Sequence, residues 1–65
     1  MIVSNTKKIM EEKKVTIRQM VRDIGVSNTT IQRARCSEIT LCRLYTLEAI
    51  AGYLGCKVKD LFDES

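Results

Sequence analysis

The sequence predicts an all-α fold, a compact bundle of five helices with a helix-turn-helix at its centre. Apolar residues recur at the spacing of one helix face in two stretches, residues 16–35 and 44–62. Gly25 divides the first stretch at the point where one helix would end and the next begin. With 65 residues, no internal repeat and no Pro-rich or Ser-rich linker, the chain is expected to form one domain over residues 1–65.

The first predicted helix covers residues 4–14. Ser4 or Asn5 is suited to cap it, because a short polar side chain accepts a free backbone N–H at a helix start. Ile9 is expected to face the core, with Met10 beside it. The charged residues of this helix are interpreted as solvated surface.

The second predicted helix opens the helix-turn-helix. Its inner face has apolar residues at i, i+3, i+4 and i+7, namely Ile17, Met20, Val21 and Ile24. Thr16 can cap its start, and Gln19 three residues later completes a capping box. The chain commonly needs a left-handed residue after a helix, and Gly25 supplies one at no steric cost. The chain is therefore expected to turn at Gly25.

The third predicted helix has polar side chains of the kind that contact base edges. Ser27 can cap it, while Ile31 and Ala34 point inward. The opposite arc carries Asn28, Thr29, Gln32 and Arg35, with Arg33 at its edge. In a major groove, amides pair with adenine, guanidinium groups with guanine, and hydroxyls or methyls contact thymine. An ordinary solvated surface is the alternative interpretation, and the short turn before the helix favours base reading.

The rest of the chain is predicted to complete the core. In the connecting loop, residues 36–43, Ile39 and Leu41 are expected to turn inward, and no sheet is predicted. The fourth helix should end at Gly55. Its inner face is predicted to be Leu44, Leu47, Ile50, Ala51 and Leu54. The short fifth helix is predicted to contain Val58, Leu61 and Phe62.

Positive charge is concentrated in the first half of the chain. Through Arg35, eight Lys and Arg residues face three acidic residues, which gives +5. From Cys36 onward, three basic residues face five acidic ones, which gives −2. Such a run is usually only solvated surface, but here it coincides with the helix-turn-helix and would attract phosphates.

These stretches resemble the Cro and phage-repressor type of helix-turn-helix, the xenobiotic-response-element family. In that family an apolar residue, a glycine, an apolar residue and a small polar cap join the two helices, as residues 24–27 do here. A β-branched residue lies six positions after the glycine, here Ile31. The run TLEAIAGYLGCKVKDLF, residues 46–62, resembles the last two helices of the family. The resemblance implies a lambda-repressor-like DNA-binding fold.

The chain departs from the family pattern at several positions. The family usually has alanine at the position of Val21, so the two helices are expected to meet at a wider angle. It usually has glutamine at the position of Ile17, so a phosphate anchor and a brace for the reading helix are expected to be missing. Cys36 and Ser37 replace the frequent Asn-Gly after the third helix, and Lys57 replaces a Ser or Thr cap.

The resemblance implies a sequence-specific transcriptional regulator, more specifically a repressor that occupies a palindromic operator in double-stranded DNA. The expected base-reading residues are Asn28, Thr29, Gln32 and Arg33. The expected phosphate contacts are Arg18, Ser27, Arg35 and Arg43. The alternative is a protein-interaction module, antitoxin-like or regulator-sequestering, for which DNA binding would be secondary.

A homodimer is expected, with half-sites about 34 Å apart. A chain of this length buries only about 60% of the surface that its unfolded state exposes, so a partner subunit would help to stabilise it. Tyr45, Tyr53 and Phe62 are candidates for the subunit contact. The alternative is that these aromatic residues cover the core.

The cysteines do not indicate a disulfide framework or a metal site. Their number is odd, and without histidine a four-ligand zinc site would need a carboxylate or a second subunit. Cys56 is expected to be a small buried apolar residue. Oxidation of Cys36 or Cys42, which flank the loop after the third helix, is the alternative role of these thiols.

The sequence predicts no enzyme, no cofactor and no small-molecule ligand, because it has no histidine base and no glycine-rich phosphate loop. Hydrophobic residues at 45% and charged residues at 29% are typical of an ordinary globular domain. No apolar run approaches the length of a membrane span and no signal peptide is apparent, so a cytoplasmic protein without a membrane partner is expected.

Overall fold

The computed structural model describes residues 1–64 and places four α-helices in them. The helices are α1 (Thr6–Lys13), α2 (Ile17–Ile24), α3 (Asn28–Ala34) and α4 (Leu44–Leu54). Two short 3-10 helices follow α3 and α4, at Ser37–Leu41 and Val58–Leu61. Two strands, β1 (Ile2–Ser4) and β2 (Phe62–Glu64), pair antiparallel with Val3 opposite Asp63. The predicted all-α fold class is confirmed, whereas the predicted count of five α-helices is one too many.

The helix-turn-helix forms as its local sequence predicts. Thr16 Oγ1 accepts the backbone N–H of Gln19 at 3.1 Å, and the Gln19 side chain accepts the N–H of Thr16 at 2.8 Å. Gly25 ends α2 in the left-handed conformation, with φ of 83°. Ser27 Oγ then accepts the N–H of Thr30 at 3.1 Å and caps α3. These bonds satisfy backbone groups that would otherwise be free at the helix ends.

One hydrophobic core joins the described elements. Its buried members are Met10, Met20, Ile31, Ala34, Ile39, Leu47, Ile50, Ala51, Leu54 and Leu61. Ile31 and Ala34 are fully buried, as predicted, and fix the inner side of α3 against this core. The opposite side of α3 is thereby held toward solvent.

The C-terminal segment differs from the predicted fifth α-helix. Residues Val58–Leu61 make a single 3-10 turn, in which the Asp60 carboxylate accepts the backbone N–H of Lys57 at 3.0 Å. Phe62 is already extended and pairs with Ser4. The strand pairing joins residues about 60 apart in the sequence, and local periodicity carries no information on such a contact. The prediction of no sheet is therefore wrong.

The N-terminal segment also differs from its prediction. The helix begins at Thr6 rather than Ser4, and Ser4 belongs to β1. The Ser4 hydroxyl accepts the N–H of Thr6 at 3.2 Å and donates to the carbonyl of Ala34. This bond connects the N-terminal strand to the end of α3. In α1 Met10 is the buried residue, while Ile9 is half-buried beside the core.

Two leucines predicted to face the core lie on the surface instead. Leu41 and Leu44 are each 65% exposed, whereas Ile39 is buried as predicted. Residues 37–41 form a 3-10 helix, whose period of three places Leu41 away from the side of Ile39. Leu44 is the first residue of α4, where the helix has not yet reached the core.

Lys14 is the only non-glycine residue with positive φ in the described part of the chain, at 57°. It ends α1 by donating its N–H to the carbonyls of Glu11 and Met10. Lys14→Gly should stabilise the fold by about 0.5 to 1 kcal/mol, because glycine avoids the left-handed penalty but loses more backbone entropy on folding. Urea unfolding measures the change. Lys8→Gly, at an exposed position inside α1, is the control and should destabilise the fold by about 1 kcal/mol.

Candidate nucleic-acid interface

The outward face of α3 is formed by the four side chains that were predicted to read bases. Asn28, Thr29, Gln32 and Arg33 are all exposed. Ile31, in the same helix, is fully buried. Since residues three and four apart share a helix face, burial on one side leaves the polar side chains together on the other. The exposed face therefore presents amide, hydroxyl and guanidinium groups side by side.

Two of these side chains are already bound to each other. Gln32 Nε2 donates a hydrogen bond to Asn28 Oδ1 at 2.6 Å. The two residues are i and i+4, and helical side chains lean toward the N-terminus, so Gln32 reaches back over Asn28. The hydrogen bond thus favours one relative arrangement of the two amide groups in the free protein.

Ser27 combines its cap with a second contact. Its hydroxyl shares a hydrogen bond with the Thr30 hydroxyl at 2.8 Å, in addition to accepting the Thr30 N–H. Ser27 is nevertheless exposed at the turn between α2 and α3. Its predicted capping role is confirmed, and its hydroxyl lies on the surface beside the polar face of α3.

The four arginines assigned to DNA contacts differ from one another in position and exposure. Arg18 is exposed on α2, while Arg33 and Arg43 line one surface pocket of about 190 Å³ together with Thr30 and Tyr45. The structure therefore brings a predicted base contact and a predicted phosphate contact close together.

Arg35 is the exception among the predicted contact residues because it is half-buried. It follows the last residue of α3, and its N–H donates to the carbonyl of Ile31 at 3.1 Å. Its Nε is buried and has no hydrogen-bond partner in the part of the chain that the structure describes. Only the end of the guanidinium group is therefore available for a phosphate.

A hydrogen-bond network between α2 and α4 was not predicted from the sequence. The Tyr53 hydroxyl donates to Asp23 Oδ2 at 2.6 Å, and Arg22 Nε donates to Asp23 Oδ1 at 2.9 Å. The bonds from Arg22 and Tyr53 lower the pKa of Asp23, and the bond to Asp23 raises the pKa of Tyr53. Tyr53 therefore connects the helix-turn-helix to α4, and no local pattern relates two residues 30 apart.

Tyr53→Phe should lower the free energy of unfolding near neutral pH. The lowered pKa of Asp23 means that its contribution is present above the unfolded pKa, about 4, and is lost as the pH falls through the folded value. The raised pKa of Tyr53 means that its contribution is present below about 10 and is lost as the pH rises through the folded value.

Urea unfolding of the Tyr53→Phe variant at pH 3, 7 and 11 measures this dependence. The difference in free energy of unfolding between Tyr53→Phe and the wild type should be largest at pH 7. Tyr45→Phe removes an exposed hydroxyl from the same helix and is the control. An equal difference for Tyr53→Phe at all three pH values would contradict a role for the Asp23 carboxylate.

The three cysteines are free thiols. Burial raises the pKa of Cys42 and of Cys56, which lowers the thiolate fraction at neutral pH. Cys56 is half-buried against the core rather than fully buried, and Cys36 is exposed with its thiol donating to the carbonyl of Arg33. No three Cys, Asp or Glu side chains within residues 1–64 form a group that could hold a metal ion.

The aromatic residues do not share one environment. Tyr45 is 65% exposed, Tyr53 bonds Asp23 and Phe62 is half-buried against the core. Phe62 thus covers the core, which was the alternative interpretation for these aromatic side chains. Separately, no helix among the described residues is long and apolar enough to cross a membrane.

Comparison with protein families agrees with this geometry. Residues 5–63 match the family model described as the Cro/C1-type HTH DNA-binding domain. The match includes α2, α3 and the Gly25 turn between them. A search of curated proteins found no match.

Proposed function

The chain belongs to the family of Cro/C1-type HTH DNA-binding domains, and from this membership we propose that it is a sequence-specific transcriptional repressor that occupies an operator as a homodimer. Residues 1–65 would form one DNA-binding domain. The mechanism requires only occupancy, since a bound protein that overlaps a promoter excludes other proteins from it. The proposed mechanism therefore needs no catalysis and no cofactor. The protein would act in the cytoplasm, where it would meet the DNA.

The exposed polar face of α3 is the observation that carries this proposal. The face lies opposite the fully buried Ile31, so insertion of α3 into a major groove would leave the core intact. In the proposed complex the base contacts come from Asn28, Thr29, Gln32 and Arg33. These residues carry the sequence preference.

Phosphate contacts would set the position of α3 in the groove. We assign them to Arg18, Ser27, Arg35 and Arg43. Arg18 would bind from α2 and Arg43 from the segment before α4, so the contacts would come from elements that precede and follow the reading helix in the chain. They would contribute affinity without sequence preference.

Dimensions and surface chemistry support the homodimer. The domain measures 32 Å along its longest axis and contains one reading helix, so one copy covers one half-site of an operator with half-sites about 34 Å apart. Leu41, Leu44 and Tyr45 are each 65% exposed and lie within residues 41–45 of the chain. Leu44 also borders an apolar groove of about 300 Å³ that Ile2 and Phe62 line.

This apolar face suits a two-fold interface, because such an interface requires each copy to supply both a projection and a recess. In the proposed interface Leu41 and Leu44 would supply the projection, and the groove that Leu44 borders would supply the recess. Leu44→Glu should therefore convert the dimer to a monomer, since it would place a charge in the contact. Val3→Lys introduces a charge at an exposed apolar position of β1, opposite Asp63, and is the control that should leave the oligomeric mass unchanged.

Light scattering of the free protein and of the operator complex measures the oligomeric state. A monomer mass for the wild type in both samples would exclude the homodimer. A dimer that persists in Leu44→Glu would show that another face forms the contact.

Selection of preferred duplexes from a random pool tests the proposed function. A palindromic consensus, bound more tightly than random duplex, is the expected result. Three arginine anchors per subunit, six per dimer, predict about a 10³-fold loss of affinity between 50 and 200 mM salt. Binding with no sequence preference and little salt dependence would instead favour the protein-interaction module.

A further inference from the structure

The hydrogen bond between the first and fifth residues of α3 has a consequence for base recognition. Gln32 Nε2 lies 2.6 Å from Asn28 Oδ1, and both side chains are exposed on the face proposed to contact DNA. An exposed amide would otherwise rotate freely between several partners. Here the hydrogen bond between the two amides favours one relative arrangement of them before any DNA arrives.

The hydrogen bond uses one of the two N–H groups of Gln32 Nε2 and one lone pair of Asn28 Oδ1, and the amino group of Asn28 and the carbonyl of Gln32 take no part in it. Asn28 keeps its Nδ2 donor, and Gln32 keeps its Oε1 acceptor. If both amides were turned over, Asn28 Nδ2 would donate to Gln32 Oε1, and again one donor and one acceptor would remain. In either orientation, the pair offers one amide donor and one carbonyl acceptor on adjacent side chains.

We propose that Asn28 and Gln32 act as one recognition unit for a single adenine in each operator half-site. In the major groove adenine presents the N7 acceptor beside the N6 amino donor. Asn28 Nδ2 would donate to N7, and Gln32 Oε1 would accept from N6. This inference rests on the proposed function, and it names the base that this part of the interface recognises.

The same groups reject the other purine. Guanine presents two acceptors, N7 and O6, so Gln32 Oε1 would face O6 with no hydrogen between them. Turning Gln32 alone would oppose its Oε1 to Asn28 Oδ1, whereas turning both amides would keep a bond between them but place Asn28 Oδ1 against the N7 acceptor of guanine. The internal bond therefore converts two flexible amides into a pair that favours adenine over guanine.

Because both amides contact one base and hold each other, their contributions should not be additive. Loss of Gln32 would free Asn28 to rotate, and loss of Asn28 would leave Gln32 without its support. The order present in the free protein also reduces the entropy that binding must remove. Substitution of either residue alone should thus remove most of the binding free energy that the pair contributes.

The test is a double-mutant cycle on the duplex that the wild-type chain selects from a random pool. Asn28→Ala, Gln32→Ala and the double variant are compared on this duplex and on duplexes in which each A·T pair of a half-site is changed in turn to G·C. One such change should weaken wild-type binding by roughly 5- to 150-fold, the range for a bidentate base contact. Each single variant should lose most of that discrimination, and the double variant should lose little more.

Two further reagents separate recognition from structure. Replacing the same adenine by 7-deazaadenine removes only N7 and should weaken the wild type but not Asn28→Ala. Asn28→Asp keeps an acceptor for Gln32 Nε2 but has no donor, so it should lose the adenine preference while its thermal unfolding midpoint stays close to that of the wild type.

Additive losses, or losses that map to two different base pairs, would overturn the recognition unit while the selected consensus still supported the proposed function. Failure of the wild type to select any sequence would instead contradict the proposed function itself. A half-site in which no A·T to G·C change weakens binding would also overturn the inference.

Discussion

Ile31→Ala should destabilise the protein by about 2 to 5 kcal/mol, the usual cost of truncating a fully buried isoleucine. Ile31 has no exposed surface and holds the inner side of α3 against the core. A chain of 65 residues is expected to have a total stability of only about 3 to 10 kcal/mol. The substitution would therefore remove a large share of that stability, and the reading helix would be lost with it.

Urea unfolding followed by circular dichroism measures this change. Thr29→Ala alters an exposed residue of the same helix and should shift the stability by no more than about 0.5 kcal/mol. If Ile31→Ala unfolded at the same urea concentration as the wild type, α3 would not be anchored through this residue.

Arg33→Ala should weaken operator binding by about 1 to 3 kcal/mol and relax the preference at one base pair. Arg33 is exposed at the edge of the polar face of α3, where a guanidinium group can donate to guanine. Arg18→Ala is the matched comparison, because Arg18 is an exposed arginine on α2 proposed to bind phosphate. It should weaken binding to operator and random duplex similarly and reduce the salt slope by about one.

Fluorescence anisotropy on the selected operator, on its single-base variants and on random duplex measures both effects. Arg33 lines one pocket with Arg43, a proposed phosphate contact. The comparison with Arg18→Ala therefore distinguishes whether Arg33 contacts a base or a phosphate. If the two variants reduced binding by the same factor on every duplex, the division into base contacts and phosphate contacts would be wrong.

The helix-turn-helix could be predicted because its determinants are close together in the chain. Thr16 and Gln19 cap α2 within one turn, Gly25 takes its left-handed conformation without any distant contact, and Ser27 caps α3. The alternation of buried and exposed residues along α3 follows directly from the helical period. The residues of the candidate site, apart from Arg43, lie in this same segment, and the family resemblance rests on it together with residues 46–62.

The features that sequence analysis missed involve residues distant in the chain. The bond from Tyr53 to Asp23 and the pairing of Ser4 with Phe62 join residues 30 and 58 apart. Leu44 fits the apolar periodicity of α4, yet it is exposed because the helix starts there beyond the edge of the core. Periodicity identifies the apolar side of a helix but not how much of that side the neighbouring elements cover.

Local chemistry was thus sufficient to specify the turn at Gly25, the caps of α2 and α3, and the polar outer face of α3. Tertiary packing decided that Phe62–Glu64 form a strand, that Leu41 and Leu44 remain on the surface, and that Arg35 is half-buried. The difference has one physical cause. Helix caps and glycine turns are stabilised by bonds within a few residues, whereas strand pairing and burial depend on which distant segments the folded chain brings together.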